Sequence, residues 1–557
     1  MAASENGGHG VAELNGGQII ARQLKAAGID TAFGVVAGPM IEVMAAMERE
    51  GITVVNCRHE VSAGFAASAW GWARGKPGVL VVGSGPALTN AVTPMYVATE
   101  SAMPLVVLGG SSAGNERGLG AFQEADQVAF AAPACKWATQ VDSQARIAEY
   151  VHLALGRALN GRPGAVYLDF PAELIRTPFD EEAVQWRTSE PEISRPHPDP
   201  AALETVADML SEAERPLVIM GKGAGWAEAG LPLQRLVDRG IPFVSSPMGR
   251  GSIPDDHPMF MNAARSAALS GADAVLMVGG RFNWVFQFGR APRFAEGARL
   301  AHIDIVAEEF YSGADVETGI VADCAIAVEQ LNGLLDGRSL RVANSDWVGT
   351  LREGRDRNEA SSAEAMASDE VPINHFRLLR DVRDCLDRDA TVTVDAELTM
   401  GVARAVMPSF GSRLRLNSGT TGCMGTGLPY ALGAKLARPD QQVVAVLGDY
   451  AFGAAAMEVE TAARVGANVV IVVSNNGGIA GHSIQDRTFA PDAPPIAALL
   501  PVAYEKTVEM VGGWARRVED PADIAPAVQE ALAANTVALV NVLTDPKGRR
   551  SGSAYLG

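Results

Sequence analysis

The 557-residue sequence predicts an α/β fold of three consecutive domains, each built on a parallel sheet. Strand-like apolar runs alternate with amphipathic helices along the chain, which is typical of parallel α/β layers. Two polar connectors, residues 189–200 and 355–370, divide this pattern into three blocks. Hydrophobic residues make up 48% of the chain and charged residues 20%, a composition that favours a large globular protein with an ample core.

The first block covers residues 12–185 and follows a polar tail, residues 1–11, which we expect to be disordered. The tail has neither the basic region nor the apolar region of a secretory signal. The predicted strands of this block are residues 31–36, 53–56, 78–82, 105–109 and 165–169.

The second block covers residues 201–337 and the third covers residues 372–545. The connector before the second block is rich in proline, which limits regular structure, and the charged connector before the third is expected to wrap the surface. The predicted strands are residues 216–221, 242–245, 274–279 and 301–305 in the second block, and 391–395, 442–447, 468–474 and 537–543 in the third. Blocks one and three could be one architecture used twice.

Charge and cysteine content exclude several classes of partner. The formal charge of −19 argues against nucleic acid or an anionic membrane as a general partner. No run approaches 18 apolar residues, so we expect no membrane span. The five cysteines form no CxxC motif, which predicts neither a disulfide framework nor a zinc site and favours the reducing cytoplasm.

Asp449 and the pair Asn475-Asn476 follow two predicted strands that a helix connects, the helix being expected to start near Gly453. Because the carboxyl ends of neighbouring parallel strands share one edge of a sheet, these side chains should lie close together. A carboxylate, an amide oxygen and a carbonyl make an incomplete oxygen shell, which diphosphate oxygens and water would complete around Mg²⁺. Either element alone would be read as an ordinary turn, and their combination is what makes the signal specific.

This segment resembles the magnesium-diphosphate motif of thiamine-diphosphate-dependent enzymes, which starts with Gly-Asp-Gly and closes on Asn-Asn. Tyr450 stands where the motif has its second glycine. The resemblance implies that Asp449, the Asn476 side chain and the Gly478 carbonyl bind Mg²⁺. It also implies that the third block is the diphosphate-binding domain, and that the following residues contact the cofactor: Val36, Gly448, Asp449, Tyr450, Ala451, Asn476, Gly478 and Ile479.

Glu60 opens a predicted small-residue helix after the strand at residues 53–56. On its own it would be read as an acid at a helix N-terminus, where acids are common. Residues 57–79 resemble the pyrimidine-domain glutamate motif of the same superfamily, and residues 77–92 resemble the stretch beneath the cofactor. The resemblance implies that the first block is the pyrimidine-binding domain and that Glu60 activates the cofactor, a role that suits a buried carboxyl.

In the third block, residues 417–437 resemble the segment that lies against the pyrimidine and thiazolium rings. Met424 would enforce the bent shape of the cofactor, and the Gly422 carbonyl would accept from the aminopyrimidine. Because matching motifs occur in all three blocks in the expected order, the resemblance covers nearly the whole chain. It implies a cofactor shared between two subunits, with a homodimer as the minimum unit and a homotetramer expected.

Two stretches resemble the family of 2-hydroxyacyl-CoA lyases and oxalyl-CoA decarboxylases. One is the Arg-Phe-Asn-Trp string at 281–284, where acetolactate synthases carry Arg-Phe-Asp-Asp and commonly bind FAD, so FAD is not expected here. The other contains Phe122 and Gln123, where the decarboxylases place Tyr-Glu. As a neutral donor, Gln123 could bind a substrate oxygen without repelling a carbanion, and we predict that Phe122 and Gln123 are catalytic together with Glu60.

The resemblance therefore implies a carbon–carbon lyase that cleaves a 2-hydroxyacyl-CoA to formyl-CoA plus a ketone or an aldehyde. The small residues Ala121, Gly477 and Ala480 hint at a short, branched acyl chain, whose length and branching stay open. Oxalyl-CoA decarboxylase is the first alternative and an acetolactate synthase-like enzyme the second. A catalytically silent CoA- or nucleotide-binding relative is a third, from a different class.

Cationic residues are expected to bind the substrate and a nucleotide. For the CoA phosphates the sequence offers Arg250, Arg404, Arg549 and Arg550. The central block is expected to be nucleotide-binding, and the resemblance allows ADP there on Arg162, Lys222, Arg281, Asp304 and Asp323. The tail at residues 546–557 is predicted to close over the substrate. An acid or base is expected in the loop 477–495, which contains His482, Gln485 and Asp492.

Overall fold

The computed structural model describes residues 13–479 and 497–548, so the predicted N-terminal tail, most of the loop 477–495 and nearly all of the C-terminal tail lie outside the described residues. The chain divides into two compact units, Met1–Ile193 and Ser194–Gly557. Within the described residues, no helix is both long and apolar enough to cross a membrane. The five cysteines all lie within the described residues and form no disulfide.

The first unit contains one parallel sheet and a short antiparallel pair. Its strands are β1 (Glu13–Leu14), β2 (Thr31–Gly34), β3 (Thr53–Asn56), β4 (Gly78–Val82), β5 (Leu105–Ser111), β6 (Trp137–Gln140), β7 (Ala165–Pro171) and β8 (Phe179–Asp180). Its helices are α1 (Gly16–Ala26), α2 (Ile41–Arg49), α3 (Glu60–Arg74), α4 (Pro86–Glu100), α5 (Gln127–Ala131), α6 (Ile147–Leu159) and α7 (Ala172–Arg176). The parallel sheet has the order β3-β2-β4-β5-β7-β6.

Two glycines let α3 pack closely against its neighbours, and this packing fixes the position of the first residue of α3. A Cβ on Gly78 at the start of β4 would lie 1.9 Å from the Ala67 carbonyl oxygen, and one on Gly64 would lie 2.6 Å from the Pro94 ring of α4. Side chains at these positions would force the elements apart. The small residues that the sequence places in α3 therefore let that helix approach both β4 and α4.

The second unit begins with a five-stranded parallel sheet of order β10-β9-β11-β12-β13. Its strands are β9 (Pro216–Met220), β10 (Phe243–Ser245), β11 (Ala274–Val278), β12 (Arg299–Asp304) and β13 (Thr318–Val321). Its helices are α8 (Pro200–Glu212), α9 (Lys222–Trp226), α10 (Gly230–Val237), α11 (Arg265–Gly271), α12 (Cys324–Leu335), α13 (Trp347–Ala360) and α14 (Ala363–Met366). The apolar strand residues form one continuous buried core with helices α8 to α13, whereas α14 packs against the core of the last sheet.

A six-stranded parallel sheet of order β15-β14-β16-β17-β19-β18 completes the second unit. Its strands are β14 (Thr391–Asp395), β15 (Arg415–Leu416), β16 (Val443–Gly448), β17 (Val470–Asn475), β18 (Trp514–Val518) and β19 (Ala538–Leu543). Its helices are α15 (His375–Asp384), α16 (Glu397–Val406), α17 (Gly427–Ala437), α18 (Asp449–Gly453), α19 (Glu458–Arg464), α20 (Glu505–Glu509) and α21 (Ile524–Ala533).

The first and last of the large sheets have the same topology. When the strands of each are renumbered along the chain, both sheets have the order 2-1-3-4-6-5. The hypothesis that one architecture is used twice is therefore confirmed. Because the strand order reverses between the first and third strands of each sheet, both sheets have a crevice at that edge, where open α/β sheets bind ligands.

The charged connector lies on the surface, as expected, since none of residues 355–370 is buried, and it is helical over most of its length, in α13 and α14. Trp347 and Leu351 of α13, which precede the connector, are buried against the central core. One local prediction differs from the structure. The helix expected near Gly453 begins at Asp449, which is its first residue. The sequence patterns also missed the short or half-exposed strands β6, β13, β15 and β18.

Candidate active site

Asp449 lies at the carboxyl end of β16, beside the end of the neighbouring strand β17. Its side chain is buried, with 1% of the residue exposed. Oδ1 accepts from the Tyr450 amide at 2.7 Å, and Oδ2 accepts from the amides of Gly477 and Gly478 at 2.7 and 3.0 Å. The carboxylate thus joins the two strand ends, as the sequence predicted from their adjacency.

The residues around Asp449 fit a magnesium ion that carries a diphosphate. Burial raises the pKa of Asp449, although its backbone hydrogen bonds act in the opposite direction. A cation would therefore stabilise the buried carboxylate. Asn476 is also buried and follows β17 directly. Asp449 and Asn476 offer oxygen donors, and a partial oxygen shell of this kind suits Mg²⁺. In the ranges 13–479 and 497–548 no three acidic, histidine or cysteine side chains cluster as a metal site.

Gly478 is fixed by the chain segment that returns after residue 496. It forms an antiparallel bridge with Ala498, and a Cβ at this position would lie 2.1 Å from the Ala497 carbonyl oxygen. The Ile479 amide donates to that same carbonyl at 3.0 Å. These contacts hold the Gly478 backbone next to Asp449. His482, Gln485 and Asp492 lie outside the described residues.

Asn475 has a supporting role beneath this site. Its amide nitrogen donates to Asn541 Oδ1 at 3.1 Å, and Asn541 donates to Glu505 Oε2 at 2.6 Å. All three residues are buried. Tyr504, which no sequence motif indicated, precedes Glu505, and burial and the charge of Asp449 raise the pKa of Tyr504 to about 12.

The segment expected against the cofactor rings lies at the same edge of the last sheet. Gly422 is exposed with a φ of 62°, and Met424 is 42% exposed, which is unusual for a large apolar side chain. The residues just after Met424 are fixed by Asp395 at the end of β14, which accepts from the Gly427 amide at 2.9 Å and from Thr426 Oγ1 at 3.3 Å. Burial raises the pKa of Asp395.

The Arg-Phe-Asn-Trp string connects the central sheet to this segment. Arg281 Nη2 donates to Thr420 Oγ1 at 3.2 Å, and Trp284 Nε1 donates to the Thr420 carbonyl at 3.3 Å. Thr420 precedes Gly422 by two positions. The string that the sequence analysis used to separate subfamilies therefore contacts the segment expected to hold the cofactor rings.

In the first unit, Glu60 is the first residue of α3 and is half-buried, not fully buried as its proposed role suggested. Asn90 of α4 donates from Nδ2 to Glu60 Oε2 at 3.0 Å. This contact depends on the close approach of α3 and α4, and the sequence analysis missed Asn90 because the contact is tertiary. Val36 follows β2, is 49% exposed, and its amide donates to Asn56 Oδ1 at 3.0 Å.

Phe122 and Gln123 lie in the loop between β5 and α5. Phe122 is 86% exposed, whereas Gln123 is half-buried and has a φ of 57°. Ser84 Oγ donates to Gln123 Oε1 at 3.4 Å. Glu124 closes the loop by accepting from the amides of Gly118, Gly120 and Ala121, and these bonds, that from Gly118 first, lower the pKa of Glu124.

Among the arginines expected to bind CoA phosphates, Arg250 already has partners within the protein. Its buried guanidinium pairs with Asp255 at 2.7 Å and donates to the Arg404 carbonyl at 2.9 Å, so we do not retain it as a phosphate ligand. Arg404 is half-buried on α16. Arg549 and Arg550 lie outside the described residues.

A buried arginine that the sequence analysis missed is next to Arg404. Arg265, the first residue of α11, is 3% exposed and donates from Nη2 to the Val285 carbonyl at 2.7 Å. Within the described part of the chain, its Nε and Nη1 have no hydrogen-bond partner. Burial, followed by the charges of Arg293 and Arg404, lowers its pKa. Its guanidinium carbon also lies 4.4 Å from the centre of the Phe286 ring, and among the described residues it has no ion-pair partner.

Four of the predicted nucleotide residues share the carboxyl edge of the central sheet. Lys222 follows β9, Arg281 follows β11, Asp304 ends β12 and Asp323 follows β13. Asp323 is partly used, because it caps α12 and pairs with Arg195 at 3.1 Å. The fifth residue, Arg162, belongs to the first unit, where its Nη2 donates to the Glu100 carbonyl at 2.7 Å.

At this edge the loops after β9 and β11 touch through glycines. The Gly223 amide donates to the Gly279 carbonyl at 2.7 Å, and a Cβ on Gly221 would lie 2.1 Å from the same oxygen. The strand order reverses between β9 and β11, so this is the position at which an open sheet binds a ligand.

Family models match all three parts of the chain. The N-terminal TPP binding domain of thiamine pyrophosphate enzymes matches residues 14–130, the central domain of these enzymes matches residues 203–331, and the C-terminal TPP binding domain matches residues 397–542.

Named relatives are similar over almost their full length. The 2-hydroxyacyl-CoA lyase of Oryza sativa subsp. japonica is 36% identical, with 97% of each chain covered. An acetolactate synthase large subunit of Mycobacterium tuberculosis is 34% identical, with 96% of each chain covered. The oxalyl-CoA decarboxylase of Escherichia coli is 32% identical, covering 97% of this chain and 96% of that protein. These identities differ by only a few percentage points, so sequence identity alone does not distinguish among the lyase, synthase and decarboxylase activities of these relatives.

Proposed function

Because the chain belongs to the thiamine pyrophosphate enzyme family, we propose that it is a carbon–carbon lyase acting on 2-hydroxyacyl-CoA thioesters. The products would be formyl-CoA and a ketone or an aldehyde. The hydroxyl proton leaves as the C1–C2 bond breaks, and one proton is added to the formyl carbon, so the reaction needs no oxidant or reductant. The names of several relatives support this assignment.

The observation that carries the CoA part of this proposal is the cation cluster around Arg265. The chain is acidic overall, yet Arg265, Arg293 and Arg404 lie close enough together to lower the pKa of Arg265. A second buried arginine, Arg415, also has its pKa lowered, by burial and by Arg250 and Arg404. Such a cluster favours a ligand with several negative charges, and the phosphates of CoA meet that requirement.

The choice of lyase over decarboxylase rests on Gln123. We propose that its amide donates a hydrogen bond to a substrate oxygen, because Ser84 already donates to its Oε1 and leaves Nε2 for the substrate. A neutral donor does not repel the negative charge that develops when the C1–C2 bond breaks. Phe122, which is 86% exposed, is proposed to contact the substrate beside it.

When bound, thiamine diphosphate supplies the electron sink that the C–C cleavage requires. We propose that Glu60 holds the proton that controls the aminopyrimidine, with Asn90 positioning its Oε2. We further propose that Asp449, Asn476 and Gly478 hold Mg²⁺, and that Gly422 and Met424 contact the rings. The remaining proposed cofactor contacts are Gly448, Tyr450, Ala451, Ile479 and Val36.

Three further parts of the proposal concern assembly and location. We propose ADP as a ligand at the carboxyl edge of the central sheet, with Lys222 and Arg281 as its cationic contacts. A homodimer is the proposed minimum unit and a homotetramer the expected one, which mass photometry would test. The cytoplasmic location stays a prediction.

A product assay distinguishes the lyase from its alternatives. The purified protein is supplied with thiamine diphosphate, Mg²⁺ and a panel of 2-hydroxyacyl-CoA thioesters, and the products are identified by mass spectrometry. The proposal predicts formyl-CoA with an equal amount of ketone or aldehyde. Release of CO₂ from oxalyl-CoA, or pyruvate turnover with bound FAD absorbance, would instead identify the decarboxylase or the acetolactate synthase-like enzyme. A silent relative would give none of these products.

A further inference from the structure

A buried polar network lies beneath the loop that carries Gln123. At its centre is Asp169, which is 2% exposed on β7 and has no ion-pair partner among the described residues. Its Oδ1 accepts from Tyr167 Oη at 2.9 Å and from Gln127 Nε2 at 2.6 Å. Its Oδ2 accepts from Ser111 Oγ at 2.9 Å and from Gln140 Nε2. The carboxylate is satisfied entirely by neutral donors.

Gln127 has one possible orientation in this network. Its Nε2 is surrounded by acceptors, namely Asp169 Oδ1, the Gly110 carbonyl at 3.0 Å and Tyr167 Oη at 2.9 Å. If the amide were reversed, its oxygen would face a carboxylate and a carbonyl, which is electrostatically unfavourable. The Oε1 atom must therefore point the other way, where it accepts from the Gly85 amide at 2.6 Å.

Gly85 connects this network to Gln123. The turn at Ser84 and Gly85 follows β4, and Gly85 has a φ of 54°. A Cβ on Gly85 would lie 2.6 Å from the Gln123 carbonyl oxygen, so the turn and the loop are in direct contact. Ser84 Oγ reaches the Gln123 side chain from the same turn. A chain of contacts thus runs from Asp169 through Gln127 and the turn to Gln123.

We propose that Asp169 and Gln127, acting through the Ser84–Gly85 turn, are positioning residues that present Gln123 to the substrate as a hydrogen-bond donor. Asp169 sets the orientation of the Gln127 amide, and Gln127 fixes the turn. Ser84 then engages Gln123 Oε1, so the Nε2 group faces the substrate. This inference rests on the proposed function, since Gln123 has its role only if a substrate oxygen lies there.

A network that serves only stability would give a different result in mutants. Removing a positioning residue matters only while the positioned group is present, so the two changes are not additive. Ser84→Ala is the mildest test because it deletes one hydroxyl. It should lower kcat/KM by about tenfold, and by less than about twofold when Gln123→Ala is already present. Equal losses in both backgrounds would overturn the proposal.

Ser68→Ala is the matched control. Ser68 is a buried serine of the same unit, and its hydroxyl donates to the Gly64 carbonyl at 2.8 Å. Its loss should leave kcat/KM unchanged in both backgrounds. If Ser68→Ala were as non-additive with Gln123→Ala as Ser84→Ala is, the effect would not come from the Ser84–Gln123 contact. That result would also overturn the proposal.

Hydrogen–deuterium exchange supplies a readout that needs no substrate. Gln127→Met keeps the side-chain length but removes every hydrogen bond of the amide. The Gly85 amide and the loop 118–126 should then exchange faster, whereas Ser84→Ala should leave that exchange near wild type. Unchanged exchange in Gln127→Met would contradict the proposal, and if that variant does not fold, the Ser84→Ala cycle decides. Failure of wild-type protein to cleave any 2-hydroxyacyl-CoA would count against the proposed function, while the exchange result still tests the positioning chain.

Discussion

The first and last sheets carry different chemistry at equivalent positions. In each sheet a glycine at the end of the third strand packs against an alanine after the first strand: a Cβ on Gly83 would lie 2.8 Å from that of Ala37, and one on Gly448 would lie 2.7 Å from that of Ala396. The next residue is Ser84 in the first sheet and Asp449 in the last. One is a neutral hydroxyl beside Gln123, and the other is a buried carboxylate fitted to a cation.

The two carboxylates proposed for the cofactor also differ in their surroundings. Asp449 is 1% exposed and accepts from several backbone amides, including those of Gly477 and Gly478, whereas half-buried Glu60 accepts from the side-chain amide of Asn90. A buried carboxylate with several hydrogen bonds is held rigidly, which suits a metal ligand. A carboxylate whose second oxygen remains available to a ligand suits proton transfer. The shared topology therefore places the groups, while burial and hydrogen-bond partners decide what each group does.

Asp449→Asn should have the largest effect on this comparison. Thiamine diphosphate affinity in the presence of Mg²⁺ should fall by more than about 100-fold, since even outer-shell partners of a metal are worth roughly 10–100-fold. Isothermal titration calorimetry measures this. Because the pKa of Asp449 is raised in the folded protein, its ionised form destabilises the fold as pH rises above the ordinary value of 3.8. Asparagine removes that charge, but its Nδ2 group would face backbone amides that now donate to the carboxylate, so the cofactor-free variant should be less stable than wild type. Strong Mg²⁺-dependent binding by the variant would contradict the assignment.

Arg265→Met extends the comparison to the central sheet, where the buried charged group that has no ion-pair partner among the described residues is a cation and not a carboxylate. Loss of one charge-assisted contact should raise KM for an acyl-CoA by about 10–100-fold with little change in kcat. The free protein should become more stable, because an unpaired buried charge is replaced by an apolar side chain.

Arg239→Met is the control for Arg265. Arg239 is half-buried, but its guanidinium is satisfied by Asn332, the Leu335 carbonyl and Asp336. Its loss should lower the melting temperature and leave KM unchanged. A normal KM in Arg265→Met would remove Arg265 from the proposed CoA site.

His375→Gln tests the pH response of the last sheet. His375 is buried between Ser474 Oγ at 3.0 Å and the Asp545 carbonyl at 3.1 Å, and burial lowers its pKa below the ordinary 6.5. The unfolded chain then binds the proton more readily, so the stability contributed by neutral His375 is lost as pH falls below 6.5. Thermal unfolding should be less acid-sensitive in the variant. The exposed His197→Gln should behave as wild type, and an unchanged acid response of His375→Gln would exclude this role.

Ala396→Gly should have the smallest effect. Ala396 has a φ of 84°, which costs a residue with a Cβ, and the turn after β2 uses Gly38 with a φ of 46°. Glycine relieves the backbone strain at this φ but also makes the unfolded chain more flexible. The net result should be a rise of roughly 0.5–1 kcal/mol in the free energy of unfolding. Calorimetry would show a higher melting temperature, whereas a lower one would mean that the Ala396 side chain contributes more by packing than its backbone costs.

Sequence patterns predicted the parts of the molecule that depend on local order. The buried strands were found because they are continuous apolar runs, and Asp449 and Asn476 were brought together because parallel strands share an edge. The edge strands β15 and β18 were missed because they are short or half-exposed. The start of helix α13 was not predicted, because its burial depends on Trp347 and Leu351 meeting a distant core.

The supporting residues of the site could not be found in this way. Asn90 meets Glu60 only because Gly64 and Gly78 let three elements approach closely. Arg265 looks like any helical arginine until its burial is known, and Arg250 looks like a free cation until Asp255 is placed beside it. Each role is set by tertiary contacts between residues far apart in the chain, which a single sequence does not display.

Exchange of the thiazolium C2 proton with solvent deuterium tests the division of roles between the two sheets most directly. Glu60→Gln should bind thiamine diphosphate and Mg²⁺ normally but exchange that proton about 10²–10⁴-fold more slowly, since general acid–base groups contribute on that scale. Glu42→Gln is the matched control, because Glu42 is an exposed acid in the first turn of α2. It should exchange at the wild-type rate. Wild-type exchange in Glu60→Gln would contradict the account.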